Sequence, residues 1–218
     1  MDSTLLKIAH RGFNGKDNSK IAIMNAIDKD FDMIEIDIRK TKDNKIVLCH
    51  DIMIEELIVE ETNFDVLKSR DNKLITLREI FSYYHPSHYS FYLDLKGTEK
   101  YNNLATLLIK FLKNEDIDCS KMVIASFNQN YLVQIYNSNL GCKIGFITNN
   151  IFHPYCYTAL LYHAHILIVE WSLVNSHTIV LLKSFNKPIY VYTCKSHLEY
   201  KYLKEFSING IISDILLY

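Results

Sequence analysis

Two histidines and two carboxylates near the start of the chain have the residue types needed for acid–base chemistry beside a metal ion. His10 and His50 each lie at the end of a short apolar run, and Glu35 and Asp37 lie between them in the sequence. Residues two apart on a β-strand project from the same face, so the two carboxylates could hold one hard divalent cation. Imidazoles titrate near neutrality and can supply the acid and the base that phosphate-ester cleavage requires. This set of residues indicates a metal-dependent phosphodiesterase.

The carboxylates have a structural alternative, in which they are solvated groups on an edge strand. Glu35 and Asp37 alternate with Ile34, Ile36 and Ile38 in an otherwise apolar run. Burying two neighbouring like charges without a cation is costly, so this context favours a metal site.

The elements that must position these residues form a regular alternation of strand and helix patterns. The predicted strands are 5–10, 33–38, 90–96, 122–127, 142–148, 165–171, 188–194 and 210–214. The predicted helices are 19–29, 76–84, 102–113, 128–137, 155–164, 176–184 and 197–206. Near-continuous apolar strands between helices indicate an α/β fold with a covered parallel sheet, and eight repeats favour a closed (β/α)8 TIM barrel. An open doubly wound sheet is the alternative, but candidate catalytic residues at the C-terminal ends of several strands favour the barrel.

Two irregularities are expected in this barrel. The segment 46–50 predicts an extra hairpin strand after the second strand, with its turn at 42–45, which would return His50 to the barrel mouth. Only Ile215 to Tyr218 follows Asp214, so the last helix is truncated. We expect this apolar tail either to pack across the resulting gap or to be covered by a second copy of the chain in a homodimer.

Composition sets the class of protein. The 218 residues are 49% hydrophobic and 22% charged, which predicts one globular domain over residues 1–218. The net charge of −1 argues against a nucleic-acid partner and favours a small-molecule substrate. The five cysteines have no zinc-type spacing and are expected to be reduced thiols. We find no secretory signal and no integral membrane segment, and therefore expect a cytoplasmic protein.

Several short motifs resemble those of the glycerophosphodiester phosphodiesterase family. They run in the same order as in the family, and the resemblance continues more weakly to the end of the chain. The N-terminal motifs are Ala9-His10-Arg11-Gly12, Asp17-Asn18-Ser19, Glu35-Ile36-Asp37-Ile38, Thr41, Asp43, Val47 and His50-Asp51. The later ones are Leu77 to Glu79, Leu93-Asp94-Leu95-Lys96, Ser126-Phe127, Val191-Tyr192-Thr193 and Gly210 to Asp214.

The resemblance implies a (β/α)8 barrel and assigns a role to each candidate residue. It implies one divalent cation, Mg2+ or Ca2+ and alternatively Mn2+, held by Glu35, Asp37 and Asp94. It implies that His10 and His50 are catalytic. It also implies that Arg11 and Lys96 bind the substrate phosphate.

The chain departs from the usual family pattern at five places. Asp17 and Asp94 stand where the family usually has Glu, Tyr192 stands where Trp is common, and Ser213 stands where Thr is common. The segment 52–71 is also shorter than many family insertions that contact the leaving alcohol. The shorter Asp94 side chain requires a metal closer to its strand or a bridging water. The identity of the alcohol is therefore the property that the resemblance transfers least well.

The primary functional expectation is metal-dependent hydrolysis of glycerophosphodiesters to glycerol 3-phosphate and an alcohol, a reaction of lipid metabolism. Lysophospholipase D or sphingomyelinase D-like activity is one alternative, which an apolar rim around the mouth would favour. A non-catalytic phosphodiester-binding barrel is the other. The sequence leaves open which histidine is the acid, and whether water attacks directly or a cyclic phosphate forms first.

Overall fold

Eight parallel strands close into a ring in the computed structural model, which describes residues 5–97, 100 and 103–218. The strands in chain order are β1 (Leu6–Ala9), β2 (Met33–Lys40), β3 (Ile46–Leu48), β4 (Met53–Ile54), β5 (Leu57–Ile58), β6 (Phe91–Leu95), β7 (Val123–Ser126), β8 (Lys143–Thr148), β9 (Ile166–Glu170), β10 (Ile189–Cys194) and β11 (Gly210–Ser213). The ring runs β1, β2, β6, β7, β8, β9, β10, β11. The pairing of β1 with both β11 and β2 closes it, which confirms the predicted TIM barrel and excludes the open sheet.

Helices lie between the strands of the ring. They are α1 (Lys20–Asp28), α2 (Phe64–Arg70), α3 (Leu77–Tyr83), α4 (Leu104–Asn114), α5 (Gln129–Asn137), α6 (Pro154–Leu160), α7 (Ser176–Lys183) and α8 (His197–Leu203). Capping boxes at Thr76 and Ser196 start α3 and α8, because each hydroxyl and the glutamate three residues later exchange hydrogen bonds with the backbone.

The helix predictions differ from the structure mainly at the ends. Helices α6 and α8 end four and three residues earlier than predicted, at Leu160 and Leu203, and α2 was not predicted. The predicted start of α4 at Asn102 lies outside the described residues.

Apolar and acidic side chains alternate along β2, so that one face of the strand packs in the core and the other carries candidate site residues. Ile34, Ile36 and Ile38 belong to the main apolar cluster between the strands and the helices. Glu35 and Asp37 therefore face the barrel interior, since successive side chains on a strand point to opposite faces. The lower interior holds a second apolar cluster, formed by Ile8, Tyr92, Val123, Ala125, Ile147, Ile166, Ile168, Tyr190 and Ile212.

The extra hairpin strand is confirmed. Strand β3 pairs antiparallel with the end of β2, with Ile38 opposite Leu48. The turn closes through a hydrogen bond of 2.9 Å from the Thr41 N–H to the Lys45 carbonyl, and Asn44 takes a left-handed conformation with φ of 59°. A second small hairpin, β4 with β5, follows His50.

The C-terminal tail follows β11 without a helix in the described part of the chain, as the truncated last helix predicted. Leu217 is only 3% exposed and belongs to the main apolar cluster, so the tail packs on its own barrel. The homodimer stays a prediction. Among the described helices, none has the length and hydrophobicity needed to cross a bilayer.

Candidate active site

All seven candidate residues line one cavity of about 370 Å3 at the C-terminal ends of the strands. His10 and Arg11 follow β1, Glu35 and Asp37 lie on β2, His50 follows β3, Asp94 lies on β6 and Lys96 follows it. A larger cleft of about 540 Å3, between the β2–β3 turn and helices α3 and α4, contains none of them. The smaller cavity is therefore the candidate active site.

Three buried carboxylates converge in this cavity. Glu35, Asp37 and Asp94 each offer an oxygen, and these three oxygens lie within 4.8 Å of one another. Asp37 and Asp94 are neighbours across the β2–β6 pairing, which places the two side chains on the same inner face. The Asp94 side chain, although shorter than glutamate, therefore still places an oxygen beside those of Glu35 and Asp37.

Two basic side chains and one amide contact the carboxylate of Asp37. Its Oδ2 lies 2.9 Å from Arg11 Nε and accepts a hydrogen bond of 2.8 Å from Asn18 Nδ2, and its Oδ1 lies 3.2 Å from Lys96 Nζ. Burial alone would raise the pKa of Asp37, but Lys96, Arg11 and the Asn18 hydrogen bond outweigh burial and lower it. Asp37 is therefore the carboxylate that is already ionised in the free protein.

The other two carboxyls are less well compensated. Burial and the charges of Asp37 and Asp94 raise the pKa of Glu35 well above its usual value, although Glu35 accepts a 2.8 Å hydrogen bond from the Arg11 N–H. Burial also raises the pKa of Asp94, against the opposing effect of Lys96. Within the described part of the chain, no group forms a hydrogen bond with the buried Oδ1 atom of Asp94.

These features fit a hard divalent cation. Three carboxylates face the two cations Arg11 and Lys96, so the ionised cluster carries one excess negative charge. An unpartnered buried oxygen and an all-oxygen donor set are what Mg2+, Ca2+ or Mn2+ would satisfy. Glu35, Asp37 and Asp94 are the residues that would hold it.

Each candidate histidine is paired with an aspartate. His10 Nδ1 lies 2.6 Å from Asp214 Oδ1, and His50 Nδ1 lies 2.7 Å from Asp51 Oδ1. Since a carboxylate accepts, we assign the proton to Nδ1 in both rings, which leaves each Nε2 as the nitrogen available for proton transfer. Burial raises the pKa of Asp214, but its hydrogen bond and attraction to His10 outweigh this and lower it.

A tight turn aims Arg11 into the cavity. Arg11 and Gly12 have left-handed φ angles of 55° and 86°. A Cβ on Gly12 would lie 2.5 Å from the backbone carbon of Ala22 in α1, so only glycine fits there. The turn also presents the Arg11 N–H to Glu35 and connects the first strand to the metal-ligand candidates on the second.

The backbone of His50 is anchored by a buried ion pair. Arg39 Nε donates a hydrogen bond of 3.0 Å to the His50 carbonyl, and Arg39 Nη1 lies 2.7 Å from Glu60 Oε1. Arg39 is on the same side of β2 as Glu35 and Asp37, yet it does not line the cavity. Its cationic group is used to hold the loop that carries His50.

Sequence reasoning did not assign roles to several residues of this site. Asn18, Asp51 and Asp214 were visible only as parts of the resembling motifs, whereas the Arg39–Glu60 pair had no local signal. Phe127 and Tyr192, which belong to the later resembling motifs, line the cavity. Ser126 instead donates a hydrogen bond of 2.8 Å to the Leu95 carbonyl and is structural.

Comparisons with known proteins agree with this geometry. The sequence model described as "Glycerophosphoryl diester phosphodiesterase family" matches residues 10–216. An uncharacterized protein of Mycoplasma genitalium is 26% identical, with 90% of this chain and 89% of that protein covered.

Solved structures of similar fold include three phosphodiesterases. A glycerophosphodiester phosphodiesterase from Parabacteroides distasonis superposes with a TM-score of 0.84 and 19% identity, covering 98% of this chain and 94% of the other. One from Thermotoga maritima has a TM-score of 0.81 and 21% identity, covering 96% and 94%. A phosphodiesterase from Oleispira antarctica, in complex with the product sn-glycerol-3-phosphate, has a TM-score of 0.82 and 18% identity, covering 96% and 92%.

Proposed function

The chain belongs to the glycerophosphoryl diester phosphodiesterase family, and from this premise we propose that it hydrolyses glycerophosphodiesters to glycerol 3-phosphate and an alcohol in a metal-dependent reaction. The observation that carries the proposal is the meeting of three buried carboxylates and two histidine–aspartate pairs in one cavity.

Charge balance supports a divalent cation for this reaction. Glu35, Asp37 and Asp94, when ionised, sum to −1 with Arg11 and Lys96, and a divalent cation would bring this inner group to +1, a charge that attracts a monoanionic phosphodiester. A cation bound by Glu35, Asp37 and Asp94 would supply Lewis-acid stabilisation of charge on the phosphate oxygens. The substrate then completes the electrostatics of the site.

Arg11 and Lys96 would bind the non-bridging phosphate oxygens. Both cations are held in place by Asp37, at 2.9 Å from Arg11 Nε and 3.2 Å from Lys96 Nζ. Donors that are fixed before the substrate arrives stabilise developing charge without a cost of reorganisation. The side chains therefore match the anionic centre of a phosphodiester.

His10 and His50 would transfer the protons. One imidazole accepts a proton from the attacking nucleophile, which is either water or a hydroxyl group of the substrate. The other imidazole donates a proton to the departing alcohol oxygen. Asp214 and Asp51 orient the two rings and stabilise each one when it is protonated. The proposed acid and base thus follow separate strands, β1 and β3.

Replacing either histidine tests these roles. His10→Ala and His50→Ala should each lower the turnover of glycerophosphocholine by ~100-fold or more, because each removes a proton-transfer group. His177→Ala, on the exposed side of α7, is the matched control and should retain wild-type turnover. Wild-type turnover in either active-site variant would refute the assignment, whereas substrate binding without hydrolysis by the wild type would support a non-catalytic barrel.

A second substrate class is favoured by the rim of the cavity. Phe127 lines the cavity with 45% of its surface exposed, and Met53 on β4, which is 41% exposed, lines the neighbouring cleft that also contains Arg11 and His50. Exposed apolar side chains beside a site can hold an acyl chain. A lysophospholipid assayed beside glycerophosphocholine distinguishes the two, since higher kcat/KM for the lysolipid would favour the lipid phosphodiesterase.

A further inference from the structure

Acidic and basic residues are unevenly distributed along the chain. Residues 119–198 contain five lysines, no arginine and a single acid, Glu170. This segment includes β7 to β10 and α5 to α7, which form one half of the barrel. Since the whole chain has a net charge of −1, this half is basic and the remainder of the chain is acidic.

Three of these five lysines lie at the end of the barrel opposite the cavity. Lys143 begins β8, Lys183 ends α7, and Lys187 follows in the connection to β10. The connections that enter the neighbouring strands β8, β9 and β10 contain no acid, and Glu170 lies at the other end of β9. These three lysines form the basic surface.

Contacts within the basic surface do not neutralise it. Burial lowers the pKa of His165, which precedes β9, and the positive charges of Lys187 and Lys143 lower it further. Lys187 Nζ donates a hydrogen bond of 2.5 Å to the Ala164 carbonyl, a neutral acceptor. Within the described part of the chain, none of the three lysines forms an ion pair with a carboxylate. Their charge is therefore available to an anionic partner.

Exposed aromatic side chains lie at the same end of the barrel. Tyr162 is 72% exposed and Tyr136 is 42% exposed, and the ring of His163 stands edge-on to both, with 4.7 Å and 4.9 Å between centroids. Tyrosine is enriched at the level of lipid headgroups, and lysine is attracted there by anionic lipids. Arginine, the residue of choice for recognising nucleic-acid phosphates, is absent from this half of the barrel. The combination favours a lipid surface over a nucleic acid.

We propose that the basic surface, with Tyr136 and Tyr162 beside it, docks the protein on an anionic lipid bilayer. The cavity lies at the opposite ends of the strands, so its mouth faces water in this orientation. A water-soluble diester can then reach the site, whereas a lysolipid held in the same bilayer lies at the wrong end of the barrel. This consequence for the substrate rests on the proposed function, but the docking itself does not.

Vesicle binding tests the docking without turnover. The wild type should bind vesicles of equal parts phosphatidylcholine and phosphatidylglycerol, and should not bind vesicles of phosphatidylcholine alone. Lys143→Glu with Lys183→Glu replaces two exposed lysines and should weaken binding to the anionic vesicles about tenfold or more, because the surface charge attracts each lysine. Lys42→Glu with Lys110→Glu makes the same change in net charge on exposed lysines outside the basic surface. This control should weaken binding by less than about twofold at physiological salt, where distant charges are screened.

Trp171 reports the orientation of the bound protein. It is the single tryptophan of the chain and directly follows β9, at the cavity end of the barrel. Its fluorescence emission and its quenching by acrylamide should be the same with and without anionic vesicles, because that end stays in water.

The outcomes separate this inference from the proposed function. Absence of binding to anionic vesicles, equal losses in the two double variants, or a blue shift of Trp171 emission on binding would overturn the docking. Tighter binding of double-stranded DNA than of vesicles, lost in Lys143→Glu with Lys183→Glu, would assign the basic surface to nucleic acid and overturn it as well. Failure of the wild type to hydrolyse glycerophosphocholine, with vesicle binding as expected, would overturn only the hydrolase.

Discussion

At the residue scale, the proposed acid–base chemistry rests on the two histidine–aspartate pairs. His10 depends on Asp214, which lies 204 positions later in the sequence and at the end of the last strand. Closure of the barrel brings them together, because β1 pairs with β11. The position of the His10 ring, and with it the proposed catalytic role, thus depends on β11.

Asp214→Asn tests this dependence. The amide cannot stabilise a protonated His10 by charge, so kcat should fall by about tenfold or more, a smaller loss than the roughly 10²–10⁴-fold expected when the acid–base group itself is removed. KM should change little, because Asp214 does not bind the phosphate in this scheme. Asp65→Asn alters an exposed carboxylate outside the cavity and serves as control. A higher KM with an unchanged kcat would contradict the proposed role of Asp214 in orienting His10.

At the element scale, the β2–β3 hairpin carries two of the three metal-ligand candidates, Glu35 and Asp37, and leads directly into the second histidine, His50. Arg39 on β2 fixes the His50 carbonyl and pairs with Glu60, which lies in a short 3₁₀ turn (Val59–Glu61) after β5. The buried pair therefore ties the inserted segment, the hairpin and the catalytic loop to one another. Because both partners are buried, loss of one leaves an uncompensated charge.

Two variants separate the stability of this pair from its positioning effect. Arg39→Met should lower the free energy of unfolding by about 3–5 kcal/mol, since Glu60 remains buried and unpaired. Arg39→Met with Glu60→Leu should recover most of that stability in urea unfolding, yet turnover should stay reduced, because the hydrogen bond to the His50 carbonyl is still missing. Recovery of both stability and wild-type kcat in the double variant would show that Arg39 does not position His50.

Local patterns predicted most of these elements. The strands of the ring are short apolar runs between turn residues, and on β2 the alternation of isoleucine with acid specifies the inward face. The antiparallel β3 was predictable because its turn lies within a few residues of the paired strands. Helix α2 was missed because only Leu67 among its residues is buried, which leaves almost no apolar periodicity.

The contacts that complete the site were not predictable in the same way. The Arg39–Glu60 pair spans 21 positions between segments with no shared motif, and Asp214 meets His10 only after the ring closes. Asn18 donates a hydrogen bond to Asp37 from a left-handed backbone conformation with φ of 58°. Such a conformation is usually signalled in a sequence by glycine, which is absent at this position. Motif resemblance predicted the candidate ligands and histidines, whereas the contacts that support them needed coordinates.

At the scale of the whole molecule, the acidic cluster links stability to pH. The folded-state pKa of Glu35 is raised, so between its unfolded and folded values the native protein binds more protons than the unfolded chain. Stability from this group is present below the unfolded pKa and is lost as pH rises through the folded pKa. Metal binding should reverse the loss, because a divalent cation stabilises the ionised carboxylate.

Thermal unfolding with and without metal measures this linkage. In chelator, the wild-type midpoint should fall relative to Glu35→Gln as pH increases from about 5 to 8, since glutamine imitates the protonated acid. Adding Mg2+ or Ca2+ should raise the wild-type midpoint, and more at the higher pH. Parallel pH profiles for the two proteins in chelator would contradict a raised pKa at Glu35.

The most direct test of the account is hydrolysis of glycerophosphocholine by purified protein before and after removal of bound metal. The account predicts that complete chelation abolishes glycerol 3-phosphate release, that Mg2+, Ca2+ or Mn2+ restores it, and that Glu35→Gln is not restored. Activity that persists undiminished in protein verified to be metal-free would contradict the assignment of Glu35, Asp37 and Asp94 as a catalytic metal site.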